Sequence, residues 1–227
     1  MKYLNATLIL LLLLSYNSKA QESGEKNGNK DYIEFNDRNN IVHGVYLGFN
    51  AEYGEINKEE TAIIGLKAAY VANRKFEAGI SLKGFYSQQN LPGISSSNNE
   101  DLLGIYTGVH LEPIFFSKSQ LNLSFPLLIG AGTVGYIDGS IKNDDDINED
   151  DYEWDTIFVL EPGINLLYNI SRYVQIETGI KYRVSSKFNI HPNGINRING
   201  FSFGAGIKIG VFNLGKNRYK KNVPNEK

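Results

Sequence analysis

The sequence predicts an all-β fold: an eight-stranded antiparallel up-and-down transmembrane β-barrel with a lumen filled by polar side chains. Three observations predict it: alternating apolar and polar residues, alternating long and short connections, and a secretion signal. The alternation is clearest in segments 174–185 and 201–212. Strand side chains point alternately to opposite faces, so each segment has one apolar and one polar face. Each segment is about as long as a tilted membrane-spanning strand.

The other six predicted strands follow in chain order. Strands one to four cover about 43–53, 61–72, 75–86 and 101–112, with apolar positions two residues apart that begin at Val45, Ile64, Phe76 and Leu103. Strand five covers about 120–137 and contains Pro126, and strand six covers about 154–168 and contains Pro162. Because proline removes a ladder donor, we expect bulges or irregular pairing there. Strand six also alternates poorly, so its register is the least defined.

The connections between these strands alternate between longer and shorter. Residues 87–100, 138–153 and 186–199 are long and hydrophilic, whereas Asn73-Arg74 and 169–172 are compact turn sequences. Outer-membrane barrels show this pattern, with long extracellular loops and short periplasmic turns. An even number of strands then places both termini in the periplasm.

The N-terminal 20 residues read as a secretion signal. Lys2 is followed by an apolar run at 8–14, and Ser18-Lys19-Ala20 forms a small-x-small cleavage site. The chain has no cysteine, which excludes lipoprotein acylation, disulfides and thiolate metal sites. The net charge of −2 argues against a nucleic-acid-binding protein. The expected organisation is signal peptide 1–20, flexible N-terminal segment 21–40, outer-membrane barrel 41–214 and basic periplasmic tail 215–227.

Charged residues inside the strands fall on the polar faces. Five acids and five bases share this parity, and we predict that they form a lumen charge network: Glu52, Lys67, Glu77, Lys83, Glu112, Glu161, Glu177, Lys181, Arg183 and Lys208. Asp101 is the exception, at the start of an apolar face. A soluble periplasmic barrel or sandwich would also alternate. Glycine-rich polar faces, balanced charges and aromatics near strand ends favour the membrane; those aromatics are Tyr53, Tyr70, Phe76, Tyr86 and Tyr168.

The strand pattern resembles that of the small eight-stranded outer-membrane barrels of Gram-negative bacteria, the OmpA/OmpX-like and PorT-type outer membrane β-barrel domain proteins. The resemblance covers most of residues 41–214. It implies a porin-like fold in the cell outer membrane, contact with outer-membrane lipid and lipopolysaccharide, and insertion by the barrel-assembly machinery. The implied assembly signal is the last strand, with Phe201, Phe203, Ile207, Ile209 and Phe212. Phe212 departs from the pattern because it is out of phase with the preceding apolar residues, and a further 15 residues follow it.

Candidates for catalysis are few. The three histidines are His43, His110 and His191, and a lipid-modifying barrel hydrolase would need a histidine, a serine and an acid together on the lipid-facing surface. His110 has lumen parity, so we expect it to be hydrogen-bonded inside the barrel, with Glu112 in reach. His43 and His191 are expected to be solvated. The sequence therefore predicts no catalytic residue and no cofactor.

An acidic loop offers weak metal candidates in Asp144, Asp146 and Asp150. Asp144, Asp146 and Asn148 have the 1-3-5 spacing of a calcium loop. Glu149 replaces the glycine of the sixth position, and Asp155 replaces the glutamate of the twelfth. We expect a solvated surface loop, with low-affinity divalent binding as the alternative.

Three functions remain open. The first is a non-enzymatic barrel with a lumen closed to solutes, acting structurally or through a protein partner at its long extracellular loops. The second is an accessory component of an outer-membrane secretion or assembly machine of the PorT type. The third is the lipid-modifying hydrolase.

Overall fold

A computed structural model describes residues 43–92, 99–117, 119–138, 154–190 and 194–214. The signal peptide, the N-terminal segment, the acidic loop with Asp144, Asp146 and Asp150, His191 and the basic tail lie outside the described residues. No helix in the described part of the chain is both long and apolar enough to cross a membrane.

The described residues form nine β-strands in one antiparallel sheet. They are β1 (His43–Ile56), β2 (Glu59–Ala72), β3 (Phe76–Pro92), β4 (Asn99–Phe115), β5 (Leu121–Ser124), β6 (Leu127–Asp138), β7 (Trp154–Asn169), β8 (Val174–Ser185) and β9 (Gly200–Leu214). β5 and β6 both pair with β4 and with β7, so they occupy a single place in the wall. β9 pairs with β1 and closes the ring. The prediction of an eight-stranded up-and-down barrel is confirmed.

The predicted fifth strand is interrupted at Phe125-Pro126, which divides it into β5 and β6. Pro126 has no backbone N–H to donate to a neighbouring strand. Two backbone hydrogen bonds beside it keep the adjacent strands paired at this point. Phe125 N–H donates to Pro113 O at 3.1 Å, and Gly163 N–H donates to Pro126 O at 2.8 Å. Pro162 does not interrupt its strand. It lies within β7 and faces outward.

Two predicted loops are shorter than expected. The connection after β1 is the two-residue turn Asn57-Lys58, with φ angles of 53° and 73°. Positive φ at both residues is typical of the two-residue hairpin turn whose twist matches that of the strands it joins. The predicted strands 43–53 and 61–72 leave a connection of about seven residues, and this prediction of a longer loop was wrong. Most of 87–100 is also strand, because β3 and β4 extend to Pro92 and Asn99 and pair there after an irregularity beyond Ser87. The compact turn at Asn73-Arg74 is confirmed, with φ angles of 51° and 57°.

The barrel has two different ends. The turn end carries both ends of the described chain, the turn at 73–75 and residues 170–173. The loop end carries the turn Asn57-Lys58, the ends of β3, β6 and β8, and the starts of β4, β7 and β9. Inside the loop end lies an apolar plug, to which segment 186–199 contributes Phe188 and Ile198, only 2% and 0% exposed. Wall strands supply the rest of the plug, including Ile56, Ile63, Phe85, Leu102, Val134, Ile157 and Val159. The hydrophilic character of 186–199 predicts a solvent loop, whereas its described part folds into the mouth of the barrel.

The plug explains the poor alternation of the predicted sixth strand. Ile157 and Val159 face the plug, while Phe158 and Leu160 face outward with 69% and 42% exposure. Both faces are apolar at this level of β7, so the period-two signal disappears although the strand itself is regular.

Candidate functional site

The interior of the ring below the plug is the candidate site, and it holds all ten charged residues of the predicted lumen network. Nine are buried, and the side chain of Lys181 is 12% exposed. They come from seven of the strands, β1 to β4 and β7 to β9. Glycines make room for this crowd: a Cβ at Gly179 would lie 2.1 Å from the Asn165 Oδ1 atom.

Four of these residues form a loop-side cluster: Glu52, Lys83, Glu161 and Lys181. Glu52 Oε1 accepts from Lys83 Nζ at 2.8 Å and also from Lys181 Nζ. Lys83 Nζ donates in addition to Glu161, and the Ser202 hydroxyl donates to Glu52 Oε2 at 2.9 Å. Two acids thus meet two bases, and each charge has an opposite partner. Such pairing offsets the cost of removing the ions from water.

The other five paired residues form a turn-side cluster: Lys67, Glu77, Glu112, Glu177 and Lys208. Lys208 Nζ lies 2.8 Å from Glu77 Oε2, 3.2 Å from Glu112 Oε2 and 3.4 Å from Glu177 Oε2. Lys67 Nζ lies 2.6 Å from Glu177 Oε2. Lys208 therefore joins three carboxylates from three different strands.

Arg183, the tenth charge, has a different role. Its Nε donates to the Ile198 carbonyl at 2.8 Å, and its guanidinium lies over the Phe85 ring at 5.5 Å. Asp155 supports the same segment from β7, because its Oδ2 accepts from Asn189 N–H at 3.0 Å. Asp155 is the twelfth position of the calcium-like spacing, and here its carboxylate accepts a backbone hydrogen bond instead.

Three ligand-type residues meet inside the turn-side cluster. Ligand atoms of Glu77, His110 and Glu112 lie within 4.8 Å of one another. His110 Nε2 is 2.9 Å from Glu112 Oε2, as its lumen parity leads us to expect. The Lys208 ammonium contacts both carboxylates, so a cation of the protein itself already occupies the place between them. His43 lies on the outer surface at the turn end, hydrogen-bonded to the Tyr70 hydroxyl.

Several polar partners of the network are absent from the sequence prediction. Tyr106 O–H donates to Glu161 Oε2 at 2.7 Å, and Ser124 and Tyr46 donate to Glu112 and Glu77. Tyr46 lies between Val45 and Leu47 and thus has the same inward parity as the charges, which is the signal that could have found it.

The outer wall is apolar around the whole ring. Leu47, Ile80 and Ile180 are 69%, 65% and 59% exposed, although they lie within their strands and not at the ends. Aromatic residues gather at the two ends of this belt. At the loop end they include Tyr53, Tyr86, Trp154, Tyr182, Phe201 and Phe203, and at the turn end Tyr70, Phe76, Phe115, Phe116, Tyr168 and Tyr173.

The predicted assembly signal divides between the two faces. Phe201, Phe203, Ile207 and Ile209 face outward with 58%, 62%, 38% and 56% exposure. Phe212 instead lies inside the barrel, where its ring stacks on Tyr46 with centroids 5.6 Å apart. Its parity is that of Lys208, and the register of β9 against β1 shifts between Val211 and Leu214, the stretch that contains Phe212.

No protein-family model and no curated protein matches the chain. Among solved structures, it is similar to Neisserial surface protein A, with 11% identity over 74% of this chain and 96% of the other and a TM-score of 0.50. The chain is also similar to Ail, the attachment invasion locus protein of Yersinia pestis, in its complex with the heparin analogue sucrose octasulfate. The identity is 15%, the match covers 75% of this chain and 99% of Ail, and the TM-score is 0.43. At this level of identity, the match to the Neisserial protein supports the barrel fold.

Proposed function

We propose that this chain is a non-enzymatic outer-membrane β-barrel with a closed lumen, which acts structurally or by surface interaction through its loop end. The observation that carries the proposal is the inverted distribution of polarity. Paired charges fill the inside of the ring, and large apolar side chains cover its outside.

A soluble barrel would bury its apolar face and expose its polar face. Here the exposed apolar residues form a continuous belt with an aromatic girdle at each end. Soluble monomers rarely expose apolar patches larger than a few hundred Å². Transmembrane barrels have this belt and these girdles. We therefore infer that the belt faces lipid and that the loop end faces the exterior.

A closed lumen supports a role without solute transport. Eight strands leave an interior just wide enough for side chains, and open channels occur in much larger barrels. In this barrel the two ion-paired clusters fill the middle, and the apolar plug fills the loop end. Binding would then involve the loop end, through the connections that join β6 to β7 and β8 to β9.

Membrane fractionation and gel mobility test this proposal. We expect the exported protein in the outer-membrane fraction and a shift in migration between unboiled and boiled samples, because intact barrels resist unfolding by detergent until heated. Recovery as a soluble periplasmic protein, or migration that heating does not change, would contradict it.

A further inference from the structure

An apolar groove with a volume of 530 Å³ crosses the outer wall over β2, β3 and β4. It lies in the loop-end half, and its lining includes Ala62, Ile64, Gly84, Leu103, Ile105 and Trp154. The volume lies within the range of small-molecule sites, about 300–1,000 Å³.

The groove exists because one outward position carries no side chain. A Cβ on Gly84 would meet a single atom within 4 Å, the Gly104 carbonyl oxygen at 4.0 Å. The neighbouring outward positions of the same strand are the large residues Leu82 and Tyr86. Trp154 reaches this region from β7 across Gly135, which pairs with Trp154 on one side and with Leu103 on the other.

The lining determines what can occupy the groove. Its side chains are hydrocarbon and aromatic, and the Tyr86 hydroxyl is already bonded to Asp101. A peptide segment would bring backbone amides into a place that cannot satisfy them, which is costly in an apolar medium. A second barrel would present a convex wall that cannot enter a narrow depression. A hydrocarbon chain fits both the shape and the chemistry.

We propose that this groove holds one acyl chain of a membrane lipid; the inference rests on the membrane placement in the proposed function. The outward positions beyond it toward the loop end are Glu60, Gln88 and Asp101. None of these three is basic, so they offer no positive charge to a phosphate. The described lining of the groove therefore favours contact with the acyl chain over contact with the headgroup.

Trp154 is the sole tryptophan of the chain and reports directly on the groove. In bilayers made entirely of dibrominated phosphatidylcholine, we expect strong quenching of its fluorescence, because bromine on the acyl chains contacts the lipid-facing wall. Absence of quenching there would contradict the membrane placement itself. This first measurement separates failure of the proposed function from failure of the groove proposal.

The second measurement titrates trace dibrominated phosphatidylcholine into detergent micelles that contain the protein. Half-maximal quenching is expected at a lipid mole fraction at least tenfold lower for the wild type than for Gly84→Leu, whose side chain fills the groove. Ala205→Leu is the matched control, since Ala205 is an exposed outward residue on β9. It should retain the wild-type midpoint. Dibrominated phosphatidylglycerol should give a midpoint within about twofold of that for phosphatidylcholine.

Equal midpoints for the wild type and Gly84→Leu would overturn the proposal, and so would a tenfold difference between the two headgroups. If Gly84→Leu loses its heat-dependent gel shift, Ala62→Leu replaces it, because Ala62 also lines the groove. Native mass spectrometry gives an independent result. One phospholipid retained per wild-type barrel supports the proposal, and a protein dimer without lipid contradicts it.

Discussion

Lys208 lies within 3.4 Å of three carboxylates and is fully buried. We predict that Lys208→Met destabilises the barrel by about 3–5 kcal/mol, because removing one partner of a buried ion pair leaves uncompensated charge. Urea unfolding from lipid vesicles measures the loss. The double variant Lys208→Met with Glu112→Gln should recover part of it. If Lys208→Met unfolds at the same urea concentration as the wild type, the Lys208 ammonium does not stabilise the barrel through its carboxylate partners.

Ile180 and Lys181 are neighbours on β8 that face opposite sides of the wall. Ile180→Lys places a charge on the lipid face near mid-strand and should cost about 2–4 kcal/mol. Lys181→Ile should cost several times less, because Glu52 keeps its bonds to Lys83 and Ser202. A refolding titration into vesicles compares the two. Equal effects would contradict the inward and outward assignment.

At the scale of elements, the described part of segment 186–199 packs into the mouth of the barrel. Phe188→Ala should destabilise the barrel by about 3 kcal/mol, since it removes a buried aromatic side chain from the plug. Lys187→Ala is the control, because Lys187 is the exposed neighbour. The temperature at which unboiled protein loses its compact gel band gives the readout. Equal temperatures for both variants would indicate that the plug contributes nothing to stability.

Another element-scale prediction concerns the acidic loop. Deletion of 144–151 should leave the heat-dependent gel shift unchanged, because the wall strands β6 and β7 begin and end outside it. Any binding of the protein to cell surfaces or to divalent cations should disappear with the loop. A barrel that fails to assemble without these residues would show that the loop contributes to folding.

At the scale of the whole molecule, the filled lumen predicts the absence of a large pore. Purified protein in planar bilayers should give no stable, ion-selective current of large conductance. The ion-paired clusters bridge opposite strands, and the plug fills the loop end. Stable single-channel steps of large conductance from the wild type would overturn the closed-lumen proposal.

The sequence alone determined which side of the wall most strand residues face. Period-two alternation is a local property of the strand, so parity assigned all ten charges to the interior and Val45, Ile64, Ile180 and Phe203 to the outside. It also indicated the number of wall strands, because compact turns or hydrophilic connections separated the apolar stripes. Where both faces are apolar, as in β7 beside the plug, parity lost its signal.

The tertiary structure alone decided which inward residues meet. Lys208 and Glu77 are 131 positions apart, and no local pattern encodes a contact across a closed ring. The same holds for the insertion of Phe188 and Ile198. A hydrophilic segment with a few apolar residues predicts a solvent-exposed loop, and only the closed barrel provides the opening into which those residues pack. The groove at Gly84 also requires the neighbouring strands, since a missing side chain becomes a cavity only when large residues stand on every side. Alternation along a strand is a local property, whereas pairing, plugging and concavity depend on ring closure.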